Sequence, residues 1–306
     1  MLVASGSTRA SRSGFSTRLL RLALGLGALL CSTVAAADPA LWRVTGPHAS
    51  IYLYGTVHVL RPAQPWDTPA LDKALAASDD LWLEVPDADD AAKLQPMIQS
   101  LGLDPAHPLS GKVDAADLAR VDAAAKAAGI AAGEKALEPM RPWLVSLSLA
   151  TLPLLQAGYD PKSGVEIKLK AKSAELGKPV RGLETMQQQM HFFADMPQAT
   201  EVAMLRATLD DVDGGAKRLD QLVTAWQAGD VPTIARITSQ YMAKQSPALY
   251  DTLIVQRNRA WADALDQRLK GQGTSFVAVG AAHLNGGPDS VQALLTQRGY
   301  TVERVQ

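Results

Sequence analysis

The feature that most constrains this chain is a short pattern that occurs twice, near opposite ends. Ile51-Tyr52-Leu53-Tyr54 runs into Gly55-Thr56-Val57-His58, and Phe276-Val277-Ala278-Val279 runs into Gly280-Ala281-Ala282-His283. Each is an apolar, β-type run of four residues followed by Gly-x-x-His. Glycine at the end of a strand lets the chain turn or another backbone come close. The histidine three residues on then falls at the strand's carboxyl end, where open α/β sheets bind their ligands.

The elements between these units alternate. Leu41 to Val44 and Ile51 to Tyr54 flank Gly46-Pro47-His48 and predict a hairpin. Pro69 to Ala77 has helical spacing, and Leu81 to Val85 is a buried-type strand stopped by Pro86. Residues 90–156 read as helical, broken at Pro105, Pro108, Gly129 and Pro139. A helix over 164–176 precedes the strand Pro179 to Leu183. From Thr185 to about Leu269 the pattern is helical again, with Val202, Leu205 and Leu209 forming an apolar stripe. A strand from Phe276 to Val279, a helix over 288–298 and a last strand from Tyr300 to Val305 close the chain. The expectation is an α/β fold: a central mixed β-sheet with flanking helices, and a large helical cap formed by insertions at about 90–156 and 185–269.

Composition narrows the function. The 306 residues carry 30 Lys+Arg against 31 Asp+Glu. Residues 1–37 contain Arg9, Arg12, Arg18 and Arg21 but no acid, then the apolar run Leu22 to Leu30 and Ala35-Ala36-Ala37. A basic start, a short apolar core and a small-residue cleavage site predict a secretory signal peptide. The run is too short for a membrane-spanning helix, which needs roughly 20 residues. Cleavage leaves 26 basic against 31 acidic residues, a net charge of −5. No basic stripe appears, which argues against nucleic acid. The mature chain is expected in the periplasm or outside the cell, without a stable transmembrane anchor. Cys31, the single cysteine, lies inside the signal, and Leu30 stands where a lipoprotein anchor calls for a small residue. The mature chain therefore has no disulfide, thiolate nucleophile or cysteine metal ligand.

Two further strands end in acids: Glu84 follows Leu81-Trp82-Leu83, and Glu184 follows Val180-Arg181-Gly182-Leu183. If the four strands are neighbours, His58, Glu84, Glu184 and His283 converge on one rim. Such a cluster has the imidazole and carboxylate donors for a divalent metal. It also suits metal-free chemistry, with histidine as general base oriented by glutamate. Glu84 within an apolar run is costly as an unpaired buried carboxylate, whereas Glu184 has a second role open to it, capping the next helix. His48, His107 and His191 lie in a turn, between prolines and on a helix, and read as surface or packing residues. Arg257-Asn258, on a helix with Trp261 and Leu265, is either an exposed polar patch or an anion clamp reaching toward the histidines.

At these residues the sequence resembles the TraB/GumN family, related to the Tiki metalloproteases. The matching pieces are Tyr52 to His58, Leu81 to Glu84, Pro142-Trp143, Gly158-Tyr159-Asp160 and Gly164-Val165-Glu166. Gly182-Leu183-Glu184-Thr185 with Gln187-Gln188-Gln189, Trp226 to Asp230, Arg257-Asn258 and Val279 to Leu284 complete them. They span about residues 40–305. The resemblance implies an α/β fold also related to erythromycin-esterase-like and haem-binding ChaN-like proteins. It implies peptidase activity supported by manganese or cobalt, with His58, Glu84 and His283 in the site and Arg257-Asn258 matching the family's Arg-Asn pair. The leading expectation is thus a metal-dependent hydrolase acting on a peptide or small molecule. His58, Glu84 and His283 would hold Mn²⁺, Co²⁺ or Zn²⁺, Glu184 or Glu84 would accept the proton, and Arg257 or Asn258 would steady the oxyanion. The alternatives are a metal-independent esterase-like hydrolase, a haem- or metal-binding protein without turnover, and an accessory protein of envelope export.

Overall fold

The computed structural model describes residues 38–306. The expected signal peptide over residues 1–37 lies outside the described residues.

The chain begins with the predicted hairpin, β1 (Leu41–Thr45) and β2 (Ala49–Thr56), closed by a Gly46 N–H to Ala49 carbonyl bond of 2.9 Å. Then come α1 (Pro69–Ala76), capped by Thr68, and β3 (Asp80–Leu83). The first helical stretch contains α2 (Ala91–Met97), α3 (Ala115–Ala127) and α4 (Pro142–Gln156). After α5 (Val165–Glu175) and β4 (Val180–Gly182) the second helical stretch follows. It comprises α6 (Met186–Ala194), α7 (Gln198–Asp211), α8 (Gly215–Gln227), α9 (Val231–Ile237), α10 (Ser239–Gln245), α11 (Pro247–Tyr250) and α12 (Gln256–Leu269). β5 (Gly273–Gly280), α13 (Val291–Gln297) and β6 (Thr301–Arg304) end the chain. Among the described residues no helix is long and apolar enough to cross a membrane.

The six strands form one mixed sheet in the order β4-β3-β5-β2-β1-β6. β4, β3, β5 and β2 are mutually parallel, and β1 runs antiparallel between β2 and β6. The two strands carrying Gly-x-x-His are therefore partners, despite the long stretch of chain between them. β2 and β5 read as near-continuous apolar runs because both faces are covered. Successive side chains alternate between two cores. Tyr54, Phe276 and Ala278 pack with Leu71, Val165, Leu169 and Trp226 on one face. Leu53, Val277 and Val279 pack with Trp261, Leu265, Leu269 and Leu295 on the other. The helical stretches build separate apolar clusters, around Val121, Leu149 and Leu205 and around Trp143, Met186 and Met190.

β5 starts three residues before its apolar run. Gly273-Thr274-Ser275 pair with β2 because polar side chains hold them: the Ser275 hydroxyl donates to Asp80 at 2.5 Å and accepts from Arg268 at 2.7 Å. β3 ends at Leu83, so Glu84 is the first residue beyond the strand.

Candidate functional site

The parallel register brings the four predicted strand ends together. Leu83 is level with Ala278 on one side and Gly182 on the other. Pairing continues past the strands: Leu183 and Glu184 N–H donate to the Leu83 and Glu84 carbonyls, both at 2.8 Å. Glu184 is thereby laid beside Glu84. On the other flank, Thr56 pairs with Gly280, so the two Gly-x-x-His turns are offset by one residue. The glycines consequently do different things. A Cβ on Gly55 would press on Ala281 at 3.2 Å, whereas one on Gly280 would meet Glu84 Oε1 at 3.1 Å and His58 Nε2 at 3.2 Å. Gly280 thus leaves a small gap onto which that carboxylate and that imidazole both face, and its N–H donates to Glu84 Oε1 at 2.6 Å.

The two histidines occupy opposite environments. His58 sits on the rim with 65% of its side chain exposed, and its Nδ1 meets Glu166 Oε1 at 2.6 Å. The Thr56 hydroxyl donates to the same carboxylate. The negative charge of Glu166, aided by that hydrogen bond and by Glu84, outweighs desolvation and pushes His58 up to about 9. His283 is buried against Trp261, ring centroids 4.4 Å apart. Burial pushes it down to about 3, so it is neutral at pH 7. Its tautomer follows from a chain of bonds. Asn258 Nδ2 donates to the Asp289 carbonyl at 2.7 Å, which turns Asn258 Oδ1 toward His283 Nδ1 at 2.6 Å. Nδ1 must then carry the proton, leaving the lone pair on Nε2, 3.8 Å from Glu84 Oε1.

Arg257 organises the carboxylates. Its Nε and one terminal nitrogen grip Glu184 as a fork, both at 2.9 Å, and that nitrogen also meets Glu84 Oε2 at 2.6 Å. The other terminal nitrogen lies 3.4 Å from His283 Nε2. The guanidinium also packs against Trp261 and Phe192, 4.7 and 5.5 Å from the ring centroids. Glu184 takes a further bond from the Trp261 indole at 2.8 Å. Burial would raise Glu84, but the neighbouring imidazole and guanidinium charges and the Gly280 N–H hold it at about 2.

Among the sequence-predicted residues, His58 and Glu84 line a cavity of about 570 Å³ together with Glu166, Lys162 and Gln189. Arg257 and Glu184 line a second cavity together with Phe192 and Trp261. Asn258 is buried with its amide fully engaged. His48 is exposed in the hairpin turn, and His107 and His191 pair with Asp104 and Asp195 near the surface. Glu166 gains its role only from the structure, although it stands in the family-like segment Gly164-Val165-Glu166. Trp226 likewise gains one: its indole donates to the Gly55 carbonyl at 2.7 Å, anchoring the turn that carries His58.

Glu166→Gln removes the charge behind His58. The His58 midpoint in a histidine NMR titration is expected to fall from about 9 toward the ordinary value near 6.5. A midpoint still near 9 would show that some other group holds the proton.

Among the described residues no three His, Asp, Glu or Cys side chains stand close enough to form a ready metal cage. The donor set nevertheless fits a divalent cation in kind. Both imidazoles have Nδ1 engaged with an oxygen acceptor and Nε2 turned toward Glu84, the outer-shell arrangement typical of metal-ligating histidine. Of the three nearby carboxylates, Glu84 and Glu184 share the Arg257 guanidinium and Glu166 pairs with His58.

A model of the TraB/PrgY/gumN family matches residues 40–304, nearly all of the described chain. The protein YbaP of Escherichia coli (strain K12) is 32% identical over 144 residues, 47% of this chain and 52% of YbaP. YbaP of Shigella flexneri matches to the same extent. The alignment thus spans about half the length of these curated relatives. No solved structure matches. With the family model covering this much of its length, the chain belongs to the TraB/PrgY/gumN family.

Proposed function

We propose that the protein is an exported hydrolase, acting on peptides, in which His58, Glu84 and His283 hold a divalent metal ion. One observation carries this reading: two imidazoles of fixed orientation turn toward one buried carboxylate, at the carboxyl ends of parallel strands and beside a cavity. Peptides as the substrate class rest on the resemblance to the Tiki metalloproteases, and export rests on the sequence of residues 1–37. Mn²⁺, Co²⁺ and Zn²⁺ all suit nitrogen and oxygen donors.

When bound, such an ion supplies a water of lowered pKa and polarises a carbonyl. The chain's own groups do the rest. Glu166 accepts from His58 Nδ1 and so orients its ring, while Asn258 orients His283. Glu84, held ionised, has Oε1 3.8 Å from His283 Nε2 and facing the same gap at Gly280 as His58 Nε2. Glu184 and the Trp261 indole keep Arg257 in register with Glu84. In this reading Glu184 and Asn258 are positioning residues.

A metal-free variant has one observation in its favour: Arg257 already gives His283 Nε2 a donor at 3.4 Å. His58 would then be the general base. Since it must first lose a proton held to about 9, activity would climb with pH toward that value.

The test is thermal melting and peptide-pool cleavage with Mn²⁺, Co²⁺ or Zn²⁺ and after chelation. Metal is expected to raise the melting temperature and restore cleavage, and His58→Ala to lose about 10²- to 10⁴-fold in rate. Cleavage that survives chelation and rises toward pH 9 selects the metal-free base. Melting and cleavage indifferent both to metal and to His58→Ala would sink both readings.

A further inference from the structure

The cavity beside His58 has a charge pattern of its own. Each carboxylate in its wall already has a cationic partner: Glu84 meets Arg257, Glu166 meets His58, and Asp89 meets Lys170, each at 2.6 Å. Lys162 is the remaining charged lining residue, and no carboxylate among the described residues lies within ion-pair range of its Nζ. Asp160, its nearest acid in sequence, is committed to the local turn. It accepts the Lys162 N–H at 2.9 Å and the Ser163 hydroxyl at 3.4 Å. On the α6 side, Gln189 lines the same cavity, and its side-chain amide has no hydrogen-bond partner among the described residues. An ammonium and an amide are thus left with free donors in a pocket whose acids are all matched. The volume, about 570 Å³, is in the range of cavities that take small ligands.

We propose that this cavity reads a carboxylate on the substrate, with Lys162 as its ionic partner and Gln189 donating a second hydrogen bond. The free C-terminus of a short peptide and an acidic side chain offer this same chemistry, and the probes below distinguish them. The inference rests on the reading that this cavity receives the substrate, and binding tests it separately from turnover.

Three probes are titrated calorimetrically into the protein: acetyl-trialanine with a free C-terminal carboxylate, its C-terminal amide, and the amide of acetyl-Ala-Glu-Ala. The free acid is expected to bind at least about tenfold more tightly than the neutral amide, as a charge-assisted hydrogen bond allows. Lys162→Met should abolish that preference without changing thermal stability, because the side chain is exposed. Lys162→Glu should reverse it. Tight binding of the glutamate-containing amide in place of the free acid assigns the carboxylate to a side chain and keeps the role of Lys162. Equal or undetectable binding of all three, or a preference untouched in Lys162→Met, overturns the inference. Free-acid binding without cleavage under any metal condition counts against the hydrolase reading and leaves the carboxylate site standing.

Discussion

Arg257→Met is expected to destabilise the protein by about 3–5 kcal/mol, the usual cost of leaving buried charges without their partner. The guanidinium side chain is 8% exposed and its two carboxylate partners are each 7% exposed, so water cannot take its place. For a chain of this size that corresponds to a melting temperature lower by roughly 6–20 °C. The loss should depend on pH, with a sign that follows from Glu84. In the native protein Glu84 is held at about 2, below its unfolded value, so it contributes stability above the unfolded pKa that is lost as pH falls toward 2. Without Arg257 an opposing charge is gone and burial drives the carboxyl upward instead. The gap between variant and native protein is therefore widest at neutral pH and narrows as Glu84 protonates. Denaturation at pH 7 and pH 4 measures this directly, and an equal loss at both would contradict the account. Arg257→Lys should fall between the two, keeping the charge but losing the fork to Glu184 and the aromatic packing.

Gly164→Ala is expected to cost more in activity than in stability. Gly164 has φ −56° and ψ 146°, a conformation open to any residue, so glycine is required there for space. An added Cβ would clash with the His58 carbonyl oxygen and lie 3.0 Å from its carbon. These are backbone atoms, which cannot swing aside as a flexible side chain would. Relief must come from separating the start of α5 from the turn after β2. That stretches the 3.1 Å bond from Val165 N–H to the Val57 carbonyl and carries Glu166 away from His58. Overpacking of this kind costs about 1–3 kcal/mol. A misplacement of about 1 Å at a catalytic group costs roughly 10²-fold in rate. Kinetics alongside a His58 titration separates the effects: activity should fall together with the His58 midpoint, while most of the folding stability remains. Native turnover with an undisturbed midpoint near 9 would show that α5 does not position His58.

Much of the fold was legible because strands buried on both faces must be apolar, and Gly and Pro punctuate helices for steric reasons. The hairpin, the Leu81 strand and the helix before Val180 could be read on those grounds. The start of β5 could not, because Gly273, Thr274 and Ser275 are polar and are held as strand by Asp80 and Arg268 from other elements. The same division runs through the site. His58, Glu84, Glu184 and His283 stood out because a polar group closing an apolar strand is conspicuous locally. Glu166 lies on a helix already rich in charge, Val165-Glu166-Ile167-Lys168, and nothing nearby distinguishes it from a solvated residue.

Arg257 and Asn258 were conspicuous as a pair, but their roles depend on partners far away in the chain. The guanidinium is saturated by Glu84 and Glu184, and the amide is turned by the Asp289 carbonyl so that it fixes the tautomer of His283. Sequence alone determined which residue types close the four strands and that residues 38–306 have no cysteine to offer. The tertiary structure decided the strand order, the tautomer of His283, the proton held on His58 and the pairing of the cavity's carboxylates. Those are properties of distance and burial between residues far apart in the chain, 173 positions for Arg257 and Glu84, and no local pattern encodes them.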